Sequence, residues 1–342
     1  MFCAAFSLIT EWTMQVSRLR QELQDRLVAF AWSQWGQMGV LAPSDRVDEW
    51  AADPEALLLL TLEVCREEPR LFDEVLDWLL VNERLVSLHR LRNLAVDDGD
   101  RALAGAAIEW LGQRRRKSPS RLQVEPDLQQ GAVPLFPGER TSVERPDPAF
   151  LAHGLLKSWI EPARRSGHPD LTQPINFAFR MRSLLGVGAR AEVVRVLLTV
   201  DAPAMSLQAI AAGSGFTKRN VQEAAASLRA AGTVTSWNLG NEQRFDLPRE
   251  RWLQLLSLDR PPVHRDWPQL FRALRVLLRW LRDPDTEHLS EYMRASDARR
   301  LVDEMSKDLR FAGVAVEPSG TVGDQYWPHF ESWVRELGES LG

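Results

Sequence analysis

Residues 206–247, SLQAIAAGSGFTKRNVQEAAASLRAAGTVTSWNLGNEQRFDL, decide the fold of this chain. They begin with apolar residues at helical spacing: Leu207, Ile210 and Ala211. Two glycines, Gly213 and Gly215, then interrupt the pattern, since glycine tolerates the positive φ of a tight turn. The stretch therefore predicts a short helix that ends in a sharp turn.

A second helix and two strands are expected after this turn. Thr217 is placed to cap the second helix, and Gly232 supplies its C-terminal stop. The apolar residues between them recur at helical spacing: Val221, Ala224, Ala225 and Leu228. Residues 233–239 and 244–247 are typical of strands, with Gly240 and Asn241 in a hairpin turn between them.

This order of helix, turn, helix and β-hairpin resembles the winged helix-turn-helix domain of bacterial transcriptional regulators of the MarR and ArsR type. The resemblance covers about residues 188–250, under a fifth of the chain. It implies that the second helix reads base edges in the major groove of duplex DNA, while the hairpin contacts phosphates or the minor groove. The residues expected to contact DNA are Ser206, Gln208, Thr217, Lys218, Arg219, Asn220, Gln222, Asn238, Asn241, Gln243 and Arg244.

The charge of this region is low for a nucleic-acid-binding surface. The whole chain carries a net charge of −5, and residues 186–250 carry 7 basic and 6 acidic side chains. Glu223 repels phosphate unless it accepts a hydrogen bond from a cytosine amine. DNA binding must therefore depend on a few side chains, a second subunit or basic neighbours. We expect a sequence-specific transcriptional regulator that binds duplex DNA as a homodimer.

The alternative is a non-enzymatic interaction or scaffold subunit of a multiprotein complex, of a defence or toxin–antitoxin type. In that case the winged helix mediates protein contacts. A salt-dependent affinity for DNA would separate the two hypotheses, because counterion release accompanies phosphate contacts.

The remaining sequence predicts a mainly α-helical protein of four segments. Residues 1–112 are helical, acidic and rich in tryptophan, and we expect them to bind a protein partner or a small-molecule effector or to help dimerisation. Residues 113–148 contain six prolines and predict a linker. Residues 149–260 hold the winged helix-turn-helix with its leading helices, and residues 261–342 form a C-terminal helical region for dimerisation or packing.

Individual helices are expected over residues 150–160, 176–185 and 190–200. A further helix over residues 268–283 carries four arginines on one face: Arg272, Arg275, Arg279 and Arg282. We interpret this face and the basic run 114–117 as solvent-exposed, with contact to nucleic acid as the alternative.

The sequence gives no indication of an enzyme, a metal site or a cofactor site. Its two cysteines, Cys3 and Cys65, and its six scattered histidines lack metal-ligand spacing. No GxGxxG, Walker or GxSxG motif is present. No apolar run is long enough to span a bilayer. We expect a cytoplasmic protein without catalytic residues, metal, cofactor or membrane contact.

Overall fold

The computed structural model of the chain describes residues 2–41, 47–115, 131–137, 143–315 and 325–341. It is mainly α-helical, with a small antiparallel sheet of three strands. The chain forms two compact units, Ser33–Pro268 and a second that combines Met1–Trp32 with Gln269–Gly342. The boundaries of these units differ from those of the four predicted segments, because the larger unit contains residues from all four segments.

The first part of the Ser33–Pro268 unit consists of short helices that surround one wholly buried helix. The first helices are α1 (Phe2–Gln37), which starts in the other unit, α2 (Pro54–Val64), α3 (Pro69–Asn82), α4 (Leu88–Leu94) and α5 (Asp98–Arg115). Every residue of α2 is buried, and α3, α4 and α5 pack against it. Asp53 caps α2 by accepting the Ala56 amide at 3.1 Å, and Pro54 occupies the first helical position. An aspartate cap followed by a proline therefore fixes where α2 begins.

The segment around residues 147–160 is less helical than predicted. α6 (Pro148–Leu151) has four residues, and β2 (Leu155–Leu156) follows it in parallel pairing with β1 (Val133–Pro134). The predicted helix over residues 150–160 is therefore wrong. Helix α6 already ends at Leu151, and Gly154, with a left-handed φ of 72°, turns the chain into β2.

The basic run 114–117 was expected to lie in solvent, but its first residue does not. The Arg114 guanidinium lies 4.2 Å from the ring centroids of both Trp110 and Trp159. It also donates to a carboxylate oxygen of Asp147 at 2.7 Å. Since only 6% of the Arg114 side chain is exposed, the predicted exposure is wrong for this residue. Arg115 is 47% exposed and pairs with Glu83, whereas residues 116 and 117 lie outside the described residues.

Five helices and a three-stranded sheet follow in an order close to that predicted. They are α7 (Phe177–Leu185), α8 (Ala189–Thr199), β3 (Met205–Ser206), α9 (Leu207–Ser214), α10 (Lys218–Ala230), β4 (Thr235–Leu239), β5 (Glu242–Asp246) and α11 (Arg249–Leu255). The sheet order is β3-β5-β4, with Met205 opposite Phe245 and Ser236 opposite Phe245 on the other side. The helices and the hairpin share one apolar core, whose fully buried members include Val194, Ile210 and Val221.

The two glycines of the predicted turn have different roles. Gly215 has a left-handed φ of 68° and ends α9, as expected of a turn glycine. Gly213 lies inside α9, so the expectation that it breaks the helix is wrong. A Cβ at Gly213 would lie 3.3 Å from Cγ1 of Val196, so the glycine permits close packing of α9 on α8.

The unit formed by Met1–Trp32 and Gln269–Gly342 is a helical bundle. Besides most of α1, its helices are α12 (Trp267–Arg282), whose first two residues belong to the other unit, α13 (Pro284–His288), α14 (Glu291–Phe311) and α15 (Tyr326–Glu339). The arginine face of α12 is not uniformly exposed, because Arg275 is buried and Arg282 donates to Gln24 at 2.8 Å. The prediction of a solvent-exposed arginine face is therefore wrong for Arg275. No helix in the described part of the chain is long and apolar enough to cross a bilayer.

Candidate nucleic-acid interface

Helix α10 presents a polar face to solvent while its apolar face lies in the core. Val221, Ala225 and Leu228 are buried, which fixes the rotation of the helix about its axis. Thr217 caps the helix by accepting the Asn220 amide at 3.3 Å. The apolar spacing in the sequence therefore determines which side chains can reach a ligand.

One exposed stripe of α10 carries Lys218, Gln222 and Arg229. They are separated by four and seven residues, so at about 100° per residue they lie within a narrow arc of the helix surface. Arg229 was not among the predicted contacts. Its spacing from Lys218 could have identified it, since eleven residues complete about three helical turns.

The β4–β5 hairpin extends this stripe. Arg229 Nη1 donates to Ser236 Oγ at 3.3 Å, and Gln243 Nε2 donates to the same oxygen at 3.1 Å. Asn238 lies directly opposite Gln243 and two residues from Ser236, so the three side chains share one face of the hairpin. We call the following six residues the α10–hairpin surface: Lys218, Gln222, Arg229, Ser236, Asn238 and Gln243.

The acidic residue of α10 lies outside this surface. Glu223 accepts a hydrogen bond from Arg219 Nε at 3.0 Å in an exposed i, i+4 pair. Residues 219 and 223 follow Lys218 by one and five positions, which places them on another part of the helix circumference. Although the net charge of the region is low, its charges are unevenly distributed on α10. Arg219 and Glu223 form a neutral pair, while the stripe with Lys218 and Arg229 has two cations and no carboxylate.

Asn220 is directed away from the α10–hairpin surface. Its side-chain oxygen accepts the Thr217 hydroxyl at 2.5 Å, and the residue lines a cavity of about 380 Å³ between α10 and the α7–α8 turn. Thr217 is exposed but acts as a cap. Of the residues predicted on α10, the structure brings Lys218 and Gln222 together and sets Asn220 apart.

The other predicted contacts occupy three different places. Ser206 is buried and caps α9 by accepting the Ala209 amide at 3.1 Å. Gln208 is exposed in the first turn of α9, and Asn241 is exposed in the hairpin turn. Arg244 pairs with Glu242 at 2.7 Å and lies opposite Trp237, on the outer face of the hairpin.

That outer face also carries exposed apolar side chains. Trp237 is 46% exposed and Leu239 is 64% exposed. Because side chains alternate along a strand, both lie on the face opposite to Ser236 and Asn238. The hairpin therefore has a polar inner face beside α10 and a partly apolar outer face.

The same unit contains a network of buried charges that joins the N-terminal helices to α7 and α8. Its members are Asp53, Glu55, Arg90, Arg182, Glu192 and Arg195, each no more than 3% exposed. Arg182 donates to Glu55 and Glu192 at 2.7 Å, and Arg195 donates to Glu192 at 2.7 Å. Three carboxylates and three guanidinium groups make the network neutral.

Pairing with arginines keeps Asp53 and Glu192 ionised. Burial alone would raise the pKa of Glu192, but Arg182, Arg195 and Arg90 outweigh it and hold that pKa well below its ordinary value. For Asp53 the burial effect is likewise outweighed, mainly by Arg90, so its pKa is also lowered. Sequence reasoning did not identify this network, because its members are scattered from residue 53 to residue 195.

Comparison with known proteins adds no identification: no protein-family model, curated protein or solved structure matches the chain. In the described residues, no group of three or more His, Cys, Asp or Glu side chains is arranged to hold a metal ion. The α10–hairpin surface is therefore the candidate site with the most definite geometry.

Proposed function

We propose that this chain is a sequence-specific DNA-binding regulator whose α9, α10 and β4–β5 hairpin act as a winged helix-turn-helix. The observation that carries the proposal is the α10–hairpin surface, where Lys218 and Arg229 stand on one exposed stripe free of carboxylates. Phosphate contacts require such cations, and base recognition requires amide and guanidinium groups beside them.

The arrangement suits the major groove. In a helix-turn-helix complex the N-terminal half of the second helix contacts base edges. Lys218 and Gln222 occupy that half of α10 and pair chemically with guanine and adenine, respectively. Arg229, Asn238 and Gln243 then follow the backbone on the hairpin side.

A homodimer completes the proposal. One subunit offers two cations on the α10–hairpin surface, and a second copy doubles that number. Two α10 helices related by a two-fold axis would enter successive major grooves when their centres are about 34 Å apart. The operator would then be an inverted repeat, since its symmetry mirrors that of the protein.

The first prediction concerns charge reversal on the stripe. In the double variant Lys218→Glu/Arg229→Glu, affinity for duplex DNA should fall at least about tenfold at 0.1 M salt, because two phosphate-attracting cations become repulsive. The slope of log affinity against log salt should decrease by about 2. Fluorescence anisotropy of a labelled duplex from upstream of its own coding region measures both quantities.

Lys307→Glu/Arg310→Glu is the matched control. Both residues are exposed on α14, so the variant makes the same charge change on the other unit. Circular dichroism would show that both variants keep their helices. Equal losses in the two variants, or a wild-type salt slope near zero, would contradict DNA binding through the α10–hairpin surface.

A second candidate rests on a separate observation, the exposure of Trp237 and Leu239 on the outer face of the hairpin. Aromatic residues are enriched in protein interfaces. On this hypothesis the chain is a non-enzymatic interaction or scaffold subunit whose hairpin binds a protein. The same salt titration separates the candidates, since an interaction subunit has no salt-dependent affinity for duplex DNA.

A further inference from the structure

We propose that Arg90 is a positioning residue for DNA recognition, because it joins the end of α9 to the buried charged network and so fixes where α10 begins. The inference rests on the proposed function of the α10–hairpin surface. It adds that α2 and α4, although remote from that surface in sequence, determine whether α10 can read bases.

Side chains of α4 donate hydrogen bonds directly to the end of α9. Arg90 Nε donates to the carbonyl oxygen of Ser214 at 2.6 Å. Asn93, one turn later on α4, donates to the carbonyl of Gly215 at 3.3 Å. Cations near a helix C-terminus are favourable because the last carbonyls lack helical partners. The start of α10, Lys218, is only four residues after Ser214.

Helix α4 also restricts the turn between α9 and α10 sterically, because its side chains cover that turn. A Cβ on Gly215 would lie 3.0 Å from Arg90 Nε and 3.1 Å from Leu94 Cδ2. The His89 ring lies 5.9 Å from the Phe216 ring, centroid to centroid. Each residue from 214 to 216 thus contacts α4, which leaves the turn little freedom to move.

Arg90 itself is held rigidly by its partners. Its guanidinium binds both oxygens of Asp53 and donates to Glu55 at 2.8 Å, two residues fixed at the start of α2. From the other side, Arg195 of α8 donates to the Gly213 carbonyl at 3.1 Å. Two arginines of one network therefore hold consecutive carbonyls at the end of α9.

Phosphate attraction depends on charge and tolerates small displacements, whereas base contacts depend on geometry. Loss of the Arg90 contact should therefore reduce sequence discrimination while it leaves non-specific binding nearly unchanged. A role in stability alone predicts a lower melting temperature with unchanged discrimination in the folded protein.

The test compares Arg90→Lys and Asn93→Ala in the full chain. Lysine keeps the buried charge but cannot bind the carboxylates and the carbonyl together. Asn93→Ala leaves the network intact, so it remains informative if Arg90→Lys does not fold. The probes are the tightest duplex selected by the wild type from a random pool and an unselected duplex of the same length.

Well below each variant's melting temperature, the affinity ratio of selected to unselected duplex should fall at least about tenfold in Arg90→Lys and about threefold in Asn93→Ala. Amide hydrogen exchange of residues 216–222 should become faster in both. Arg66→Lys is the control, since Arg66 donates to the Leu135 carbonyl at 2.8 Å elsewhere in the same unit.

An unchanged ratio and unchanged exchange in folded variants would overturn the positioning role while the proposed function stands. If the wild type itself shows no salt-dependent duplex binding, the proposed function fails and the positioning role fails with it. A reduced ratio in the Arg66→Lys control would also count against a specific role of Arg90.

Discussion

His264 illustrates how one partly buried residue makes the fold sensitive to acid. Its Nδ1 lies 3.2 Å from the Thr199 hydroxyl. Burial, reinforced by the charge of Arg195 and opposed by Asp53, lowers the pKa of His264 to about 4. The folded protein therefore keeps this imidazole neutral at pH values where an unfolded chain would protonate it.

The expected result is a loss of stability on acidification. Below about pH 6.5 the unfolded chain binds a proton at His264 that the folded chain does not bind until about pH 4. The free energy of unfolding should therefore fall between these values, by at most about 3 kcal/mol from this residue. Above pH 7 the histidine contributes no pH dependence.

Urea unfolding at pH 7.5 and pH 5 measures this effect. The difference between the two pH values should shrink in His264→Gln and remain as in the wild type in His329→Gln, which changes an exposed histidine. An equal pH dependence in His264→Gln and the wild type would show that the imidazole does not titrate as described.

At the residue scale, sequence reasoning succeeded where side chains act within one element. Lys218 and Gln222 could be placed on the exposed side of α10 because Val221 and Leu228 identify its buried side. Arg90 could not be placed in the same way. Its partners lie 35, 37 and 124 residues away, and no local pattern encodes such distances.

Among the elements, α5 offers an internal comparison of two glycines. Gly112 lies in the helix with no atom within 4 Å of an added Cβ. A Cβ at Gly105 would lie 2.4 Å from the His153 ring. Glycine in a helix costs about 0.5–1 kcal/mol relative to alanine, so only the open site should gain that full amount.

Gly112→Ala should therefore raise the free energy of unfolding by about 0.5–1 kcal/mol. Gly105→Ala should gain less or lose stability, because the His153 ring must leave its 3.2 Å contact with Glu109. Denaturant titration of the two variants side by side tests the packing of α5. A larger gain for Gly105→Ala would contradict it.

The elements also show why some sequence predictions failed. The cap Thr217 and the stop Gly232 act locally, and the helix between them was predicted well. The helix expected over 150–160 failed because the pairing of β2 with β1 depends on a strand some twenty residues earlier. The expectation that Gly213 ends the helix failed because this position needs a glycine for close packing against Val196. The sequence does not show that contact.

At the scale of the whole molecule, the compact unit Ser33–Pro268 makes a prediction about fragments. A fragment of residues 33–268 should fold cooperatively, since it contains the core around α10 and all six charges of the network. A fragment of residues 149–260, the segment that the sequence analysis assigned to the winged helix region, should not. It lacks Asp53, Glu55 and Arg90, and leaves Arg182 buried with fewer partners.

Circular dichroism and thermal melting of both fragments provide the measurement. A cooperative transition in the 149–260 fragment, with a melting temperature near that of residues 33–268, would mean that the network contributes little. The sequence could not reveal this dependence, because the prolines and basic residues between 113 and 148 resemble a boundary.

The neutrality of the buried network has a consequence for how this chain can diverge. Removal of one partner strands a buried charge, whereas replacement of a whole group by apolar residues can be tolerated. Selection should therefore remove single substitutions that change the charge at positions 53, 55, 90, 182, 192 and 195. Coordinated replacements should survive, so an alignment of homologues should show these six positions covarying as one group although they span 143 residues of sequence, from 53 to 195.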